Sequence, residues 1–212
     1  MSYPQTIDID LDDVDPNGIF TINTVAGAIT LTLAGALVSG TVATMDYARQ
    51  IGILSSGNDT GITFTVTGTD GDGRALSEVV TGASATTAES AGYFKTVTSI
   101  VTSGAAAANV TIGTVDEAVS NTYPLNHHAS TGALISAVVT GTIDYTIEER
   151  FDDIQISTGL QSGWTDITAF ADKTATVTST ATRGATAFRI VINSHSSGAR
   201  LLTSITDRVH SD

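Results

Sequence analysis

Apolar and polar residues alternate with a period of two through most of this chain, in segments rich in threonine, valine and isoleucine. In Ile62-Thr63-Phe64-Thr65-Val66-Thr67 the apolar residues take one face and the threonines the other. Ile143, Tyr145 and Ile147 alternate in the same way with Asp144, Thr146 and Glu148, and Phe188, Ile190 and Ile192 alternate with Arg189, Val191 and Asn193. This pattern predicts strands with one face in a core and one in water. Threonine suits the wet face, because its β-branch favours extended backbone while its hydroxyl meets solvent. Turn chemistry falls between these segments: Ser56-Gly57-Asn58-Asp59 before the Ile62 strand, Asp70-Gly71-Asp72-Gly73 after it, and Ser103-Gly104, Ser162-Gly163 and Ser196-Ser197-Gly198 further on. No segment carries a convincing helical period. Ala83 to Ala91 offers at most a turn or two, bracketed by Gly82 and Gly92.

These signals predict an all-β chain of two β-sandwich domains, Ig-like or jelly-roll-like, with an extended acidic N-terminal arm. The alternation lapses between Asp116 and Ser130, a stretch that contains Pro124, and resumes at Leu134. The expected organisation is therefore an arm with strands over 1–39, a first sandwich over 40–115, a linker over 116–130 and a second sandwich over 131–212. In the arm, Phe20, Ile22, Ile29, Leu31 and Leu33 predict two strands joined through Val25-Ala26-Gly27. These either complete the first sandwich or reach a neighbouring subunit.

Composition narrows the function. The chain has 212 residues, 41% hydrophobic and 15% charged, enough apolar material to bury a core without staples. It has no cysteine, so no disulfide framework and no thiolate chemistry is expected. A formal net charge of −13 repels phosphate backbones and anionic lipid surfaces, which argues against nucleic-acid or membrane partners. Met1 to Leu11 alternates and carries Asp8 and Asp10, unlike a secretory leader. The most apolar stretch, Val25 to Val42, is broken by Gly27, Gly35 and Gly40, too interrupted for a membrane span. A soluble protein is expected.

Several constellations invite a chemical reading. Asp8, Asp10, Asp12, Asp13 and Asp15, followed by Pro16-Asn17-Gly18, place oxygen ligands at spacings that suit calcium. The EF-hand pattern fails, with Asp13 where glycine belongs and Ile19 where the bidentate glutamate belongs. An edge strand with a charged outer face accounts better for the alternation of Ile7, Ile9 and Leu11 with the aspartates. His127-His128 is an adjacent pair, which in extended chain points to opposite sides, and His195 and His210 supply no ligand spacing. Glu148, Glu149, Asp152 and Asp153 could converge as paired carboxylates, but the chain is only 6% aromatic, poor for sugar stacking. No G-x-S-x-G elbow is present. Trp164, the sole tryptophan, reads as a core anchor of the second sandwich. No catalytic, cofactor or metal site is expected. The candidates for assembly are Ile7, Ile9, Leu11 and Val14, whose alternation is that of a strand able to add to a sheet edge.

The segment from Tyr47 to Val115 resembles a β-sandwich module found in structural proteins of tailed-bacteriophage virions. The resemblance rests on Arg49-Gln50-Ile51, Ser56-Gly57-Asn58-Asp59 before a threonine-rich strand, Gly68-Thr69-Asp70, a glutamate-bearing strand, Tyr93-Phe94-Lys95-Thr96-Val97-Thr98-Ser99-Ile100, and a closing Gly113-Thr114. Val139 to Asp153, Trp164 and Ala187-Phe188-Arg189-Ile190 are similar to the second half of the same proteins. The resemblance implies a non-enzymatic virion component (capsid decoration, neck or tail) made in the host bacterial cytoplasm. Its partners would be copies of itself and other virion proteins. It brings no active site and no cofactor. The competing expectation is a carbohydrate- or receptor-binding module of a fibre or surface adhesin.

Overall fold

The computed structural model describes residues 5–125, 133–152, 162–182 and 184–206. Among them the only helical element is a 3-10 turn at Thr168–Phe170. The strands, in chain order, are β1 (Gln5–Asp10), β2 (Phe20–Thr24), β3 (Val38–Ser39), β4 (Val42–Ser55), β5 (Thr63–Thr69), β6 (Ala75–Thr81), β7 (Thr87–Glu89), β8 (Phe94–Thr102), β9 (Asn109–Val119), β10 (Tyr123–Pro124), β11 (Leu134–Thr140), β12 (Ile143–Arg150), β13 (Thr165–Asp166), β14 (Val177–Thr180), β15 (Ala187–His195) and β16 (Arg200–Thr206). The all-β reading of the sequence holds.

The chain divides into two compact units: a central unit, Val14–Ala118, and a terminal unit made of Met1–Asp13 with Val119–Asp212. The start of the chain thus splits between them. Residues 14–39 belong with the central unit, and the first thirteen fold with the C-terminal half.

In the central unit β8 lies between β4 and β5, with β6 beyond β5, all antiparallel. Alternation, broken once in β8 by an extra residue at Thr98, seats Phe64 and Val66 of β5, Val80 of β6 and Val97 and Ile100 of β8 in one core with Ile51, Ile53, Val110 and Ile112. Where β5 slips register against β8, Gly68 is required: a Cβ there would sit 1.8 Å from the Thr96 carbonyl oxygen. The Asp70–Arg74 hairpin turn is built by one side chain. Asp70 Oδ1 accepts from the Asp72 and Arg74 N–H groups at 3.0 and 2.9 Å, and Gly73 takes the left-handed conformation at φ +78°. The Ala83–Ala91 segment, open to a helical turn on its sequence, instead carries β7, which pairs with β4 through Gly52–Leu54. A strand that can satisfy its backbone on a neighbour outcompetes one isolated turn of helix.

In the terminal unit one sheet runs β1-β16-β11-β14, all antiparallel. Ile7 and Ile9 face Thr203 and Leu201, and Ile135, Ala137 and Ile205 continue the same buried face. A second ladder joins β12 to β15, with β13 on β12 and β10 on β15. Tyr145, Ile147, Phe170, Phe188 and Ile190 are fully buried there. Part of the stretch expected as a linker over 116–130 is strand among its described residues. Asp116–Val119 finishes β9, and Tyr123–Pro124 forms β10 against Phe188 and Ala187, with the Tyr123 ring stacked on Phe188 at 5.2 Å. Pro124 is tolerated because a two-residue strand loses little when one donor is missing.

Candidate assembly surfaces and polar clusters

Three of the four assembly candidates are committed inside their own chain. Ile7, Ile9 and Leu11 are buried, whereas Val14 is 40% exposed. β1 is held from its charged face as well. Asp8 accepts a bidentate pair of hydrogen bonds from Arg200, which holds its carboxyl below the usual carboxylate range and raises the guanidinium in turn. His195 Nε2 donates to the Asp12 carbonyl at 3.3 Å, and Ser197 donates to Asp13 at 3.0 Å. The acidic run is therefore drawn apart by the fold. Asp8 to Asp13 line the terminal unit, while Asp15 serves the central one: its N–H donates to Thr114 Oγ1 at 2.9 Å, and its Oδ1 accepts from Asn17 N–H. Among the described residues no three acidic or histidine side chains converge to hold a metal ion.

The three described carboxylates of the set considered for glycoside chemistry each have a structural partner. Glu148 pairs with Arg189 and Asp152 with Arg150, whose guanidinium pulls the Asp152 carboxyl below its ordinary range. Glu149 is buried and accepts from the N–H and hydroxyl of Thr182. Glu148 and Glu149 are adjacent in a strand and point to opposite faces. Asp153, His127, His128 and His210 lie outside the described residues.

Trp164 is not the core anchor expected from the sequence. It is partly buried, with the Arg189 guanidinium 4.7 Å and the Arg150 guanidinium 5.7 Å from its ring centroid. The indole meets two cations that are themselves paired to carboxylates, so its ring face is used for cation–π contact. No local pattern marks this. The arginines come from β12 and β15 and meet the ring only through the β12–β15 ladder.

Sequence reasoning also missed the buried arginine of the central unit. Arg49 is 1% exposed and grips Asp46 through two hydrogen bonds of 2.9 Å. The gap in the β4–β8 register between Thr44 and Arg49 makes this possible, because the intervening bulge turns Asp46 back toward Arg49. Lys95 reinforces it by donating to the Met45 and Asp46 carbonyls at 2.7 and 2.6 Å.

The outer faces are paved with hydroxyls. Thr67 pairs with Ser77 at 3.2 Å, Thr69 with Thr96 at 2.7 Å, and Ser136 with Thr178 at 3.0 Å. Aliphatic side chains stand among them: Val79, Val101, Val138 and Leu202 are all exposed, the last two directly paired across β11 and β16. Val14 and Leu54 line a cleft of about 280 Å³ in the central unit, with Pro16, Thr87 and Glu89. That is below the usual size of a small-molecule site, and no aromatic ring lines it. Phe151, about half exposed, is the one exposed large aromatic among the described residues.

No family model matches this chain, and neither a curated protein nor a solved structure matches it.

Proposed function

We propose that this chain is a non-enzymatic structural subunit of a tailed-bacteriophage virion, built of two β-sandwich units and working through contacts with copies of itself and with other virion proteins. The setting comes from the resemblance of residues 47–115 and of the second half to phage structural modules. The observation that carries the non-enzymatic part is the fate of the polar groups. The described acidic residues of the catalytic candidate set are tied to arginines or to Thr182, leaving outer faces of threonine, serine and isolated aliphatic side chains. Such faces suit repeated protein contact, because they bury hydroxyls that can pair across an interface and few charges that would need desolvation. The acidic exterior favours a place away from packaged DNA, in the outer shell, neck or tail. Of the four assembly candidates, Ile7, Ile9 and Leu11 are buried within their own chain, so within this reading Val14 is the one left available to a neighbour.

The test is direct. Particles induced from a strain carrying the gene, purified and analysed by mass spectrometry, should contain the chain in many copies. Antibodies against it should decorate intact particles at one kind of site. Particles that lack the chain would refute the proposal. Selective glycan binding by the purified protein would move the assignment to a receptor-binding module.

A further inference from the structure

The sheet edges among the described strands are not alike. β1 carries Asp8 and Asp10, β14 has four residues, β13 two, and β10 two with a proline. Charge, shortness and proline are the ordinary means of keeping an edge from pairing with another chain. β6 is neither short nor interrupted by proline, and its one charged residue, Glu78, lies on the even-numbered face with Leu76 and Val80, away from Ser77, Val79 and Thr81. Its seven residues pair with β5 in unbroken register from Ala75 to Thr81, and no strand lies on its other side among the described residues.

The direction of its open backbone groups follows from the ends of that ladder. Gly82 N–H donates to the Ile62 carbonyl at 3.0 Å, and Asp70 N–H donates to the Arg74 carbonyl at 2.9 Å. Hydrogen-bonded pairs alternate along an antiparallel ladder, so the even-numbered residues of β6 bond to β5. Ala75, Ser77, Val79 and Thr81 therefore turn N–H and C=O toward the open side. All four have exposed side chains, and Val79, at 60%, is the most exposed large aliphatic of the described residues. Neither they nor the adjoining Thr63, Thr65, Thr67 and Thr69 carry charge, in a chain of net −13. Glu78, the one charged residue of β6, is only partly exposed and is occupied by the N–H groups of Ala91 and Gly92 at 2.7 and 2.8 Å.

We propose that β6 is a self-association edge, through which two copies of this chain join β6 to β6, antiparallel, about a twofold axis at Val79. An antiparallel edge is complementary to itself under a twofold, which makes a second copy the natural occupant. Two strongly acidic chains also meet there without opposing outward carboxylates. An axis at Val79 sets Val79 against its own copy and Ser77 against Thr81. It puts Glu78 opposite Val80 rather than opposite a second Glu78, which would be destabilising. Each of the pairs Ser77–Thr81, Val79–Val79 and Thr81–Ser77 exchanges two main-chain hydrogen bonds. This rests on the self-assembly part of the reading above and not on the virion setting.

Light scattering on the full chain over a concentration series should show the mass rising to twice that of one chain. Val79→Lys, which sets two ammonium groups against each other at the axis, should remain monomeric with an unchanged circular dichroism spectrum. Val79→Pro removes one outward N–H without touching the β5 ladder and should do the same; should it fail to fold, the lysine variant decides alone. Because the chain has no cysteine, Val79→Cys provides a single thiol, and mild oxidation should link it into dimers while Leu202→Cys on the terminal unit stays monomeric. A wild-type protein that is monomeric throughout overturns the proposal, as does a Val79→Lys variant that dimerises like wild type. Either result leaves the virion assignment to be judged by particle labelling alone.

Discussion

Ile9→Ala tests whether the acidic start of the chain is a core strand of its own subunit. Ile9 is 1% exposed, opposite Leu201, which is fully buried, in a sheet whose apolar face continues through Ile7, Ile135 and Ile205. Removing a buried isoleucine side chain down to alanine costs about 2–5 kcal/mol, transfer and cavity together. That is a large part of the roughly 5–15 kcal/mol that holds a domain folded. For a unit of about this size each kcal/mol lowers Tm by about 4–8 °C, so a fall of about 10 °C or more is expected. Trp164, the sole tryptophan, lies in the terminal unit, so its fluorescence follows that unit's unfolding while circular dichroism follows both. Val14→Ala is the control: that side chain is 40% exposed and should cost about 0.5 kcal/mol or less. The loss should be equally large in the monomeric Val79→Lys background, since β1 pairs within its chain. If Ile9→Ala melts with wild type by Trp164 fluorescence, Ile9 is not a core residue and the β1–β16 pairing is wrong. If the loss appears only when the protein is associated, β1 is donated to a neighbour instead.

Other expected outcomes concern single features. Gly68→Ala should prevent the central unit from folding stably, because the added carbon meets the Thr96 carbonyl at 1.8 Å; retention of the wild-type urea midpoint would contradict the β5–β8 register. Asp46→Ala leaves the Arg49 guanidinium buried without its carboxylate and should cost about 3–5 kcal/mol, whereas Arg49→Met, which fills similar volume without charge, should cost less; the order of the two urea midpoints checks this. Tyr145 is fully buried, with its hydroxyl donating to the Ala175 carbonyl at 3.0 Å, and burial raises its pKa to about 12. The folded state thus keeps its proton while the unfolded state loses it from about pH 10, so stability should fall between pH 10 and 12 by up to about 2 kcal/mol. A Tyr145→Phe variant should lose less over that window, and identical alkaline profiles would refute the assignment.

The sequence made faces legible and left partners hidden. Period two in Ile62–Thr67 gave a strand and its buried side, and Asp70-Gly71-Asp72-Gly73 gave the hairpin, because both are decided by residues a few positions apart. Ile7, Ile9 and Leu11 were equally legible as one face of a strand, yet their partner, β16, lies some 190 positions away along the chain. Alternation states which side of a strand is apolar and nothing about which strand lies beside it. The same limit explains Trp164. Its aromatic bulk pointed to a core, but its neighbours include two arginines brought in by β12 and β15, and a ring in contact with paired cations is stable without full burial. Arg49 was hidden by a bulge, since strict alternation across Val42–Ser55 would have turned Asp46 and Arg49 to opposite faces.

The distribution of charge over the sheet edges gives these separate features one logic. β1 and β6 are both edge strands, similar in length; β1 buries Ile7 and Ile9, and β6 buries Val80 with Leu76 partly covered. They differ in what they show to water: Asp8 and Asp10 on the first, Ser77, Val79 and Thr81 on the second. A like-charged edge resists pairing with its copy, since two rows of carboxylates at sheet spacing repel and neither can be desolvated cheaply. An uncharged edge has no such penalty, and the general acidity of the chain then raises the cost of every other mode of approach. On the proposed β6 pairing, net charge and edge composition act together: the first would suppress nonspecific association, and the second would leave β6 open to a second copy. Adding positive charge at β1, by Asp10→Lys, should therefore leave the β6-mediated mass unchanged. A negative charge placed on β6, by Ser77→Glu, should abolish it at low salt and partly restore it at high salt, because screening weakens repulsion between exposed carboxylates. A salt-independent loss would mean that the glutamate acts by distorting the strand, and the electrostatic account would fall.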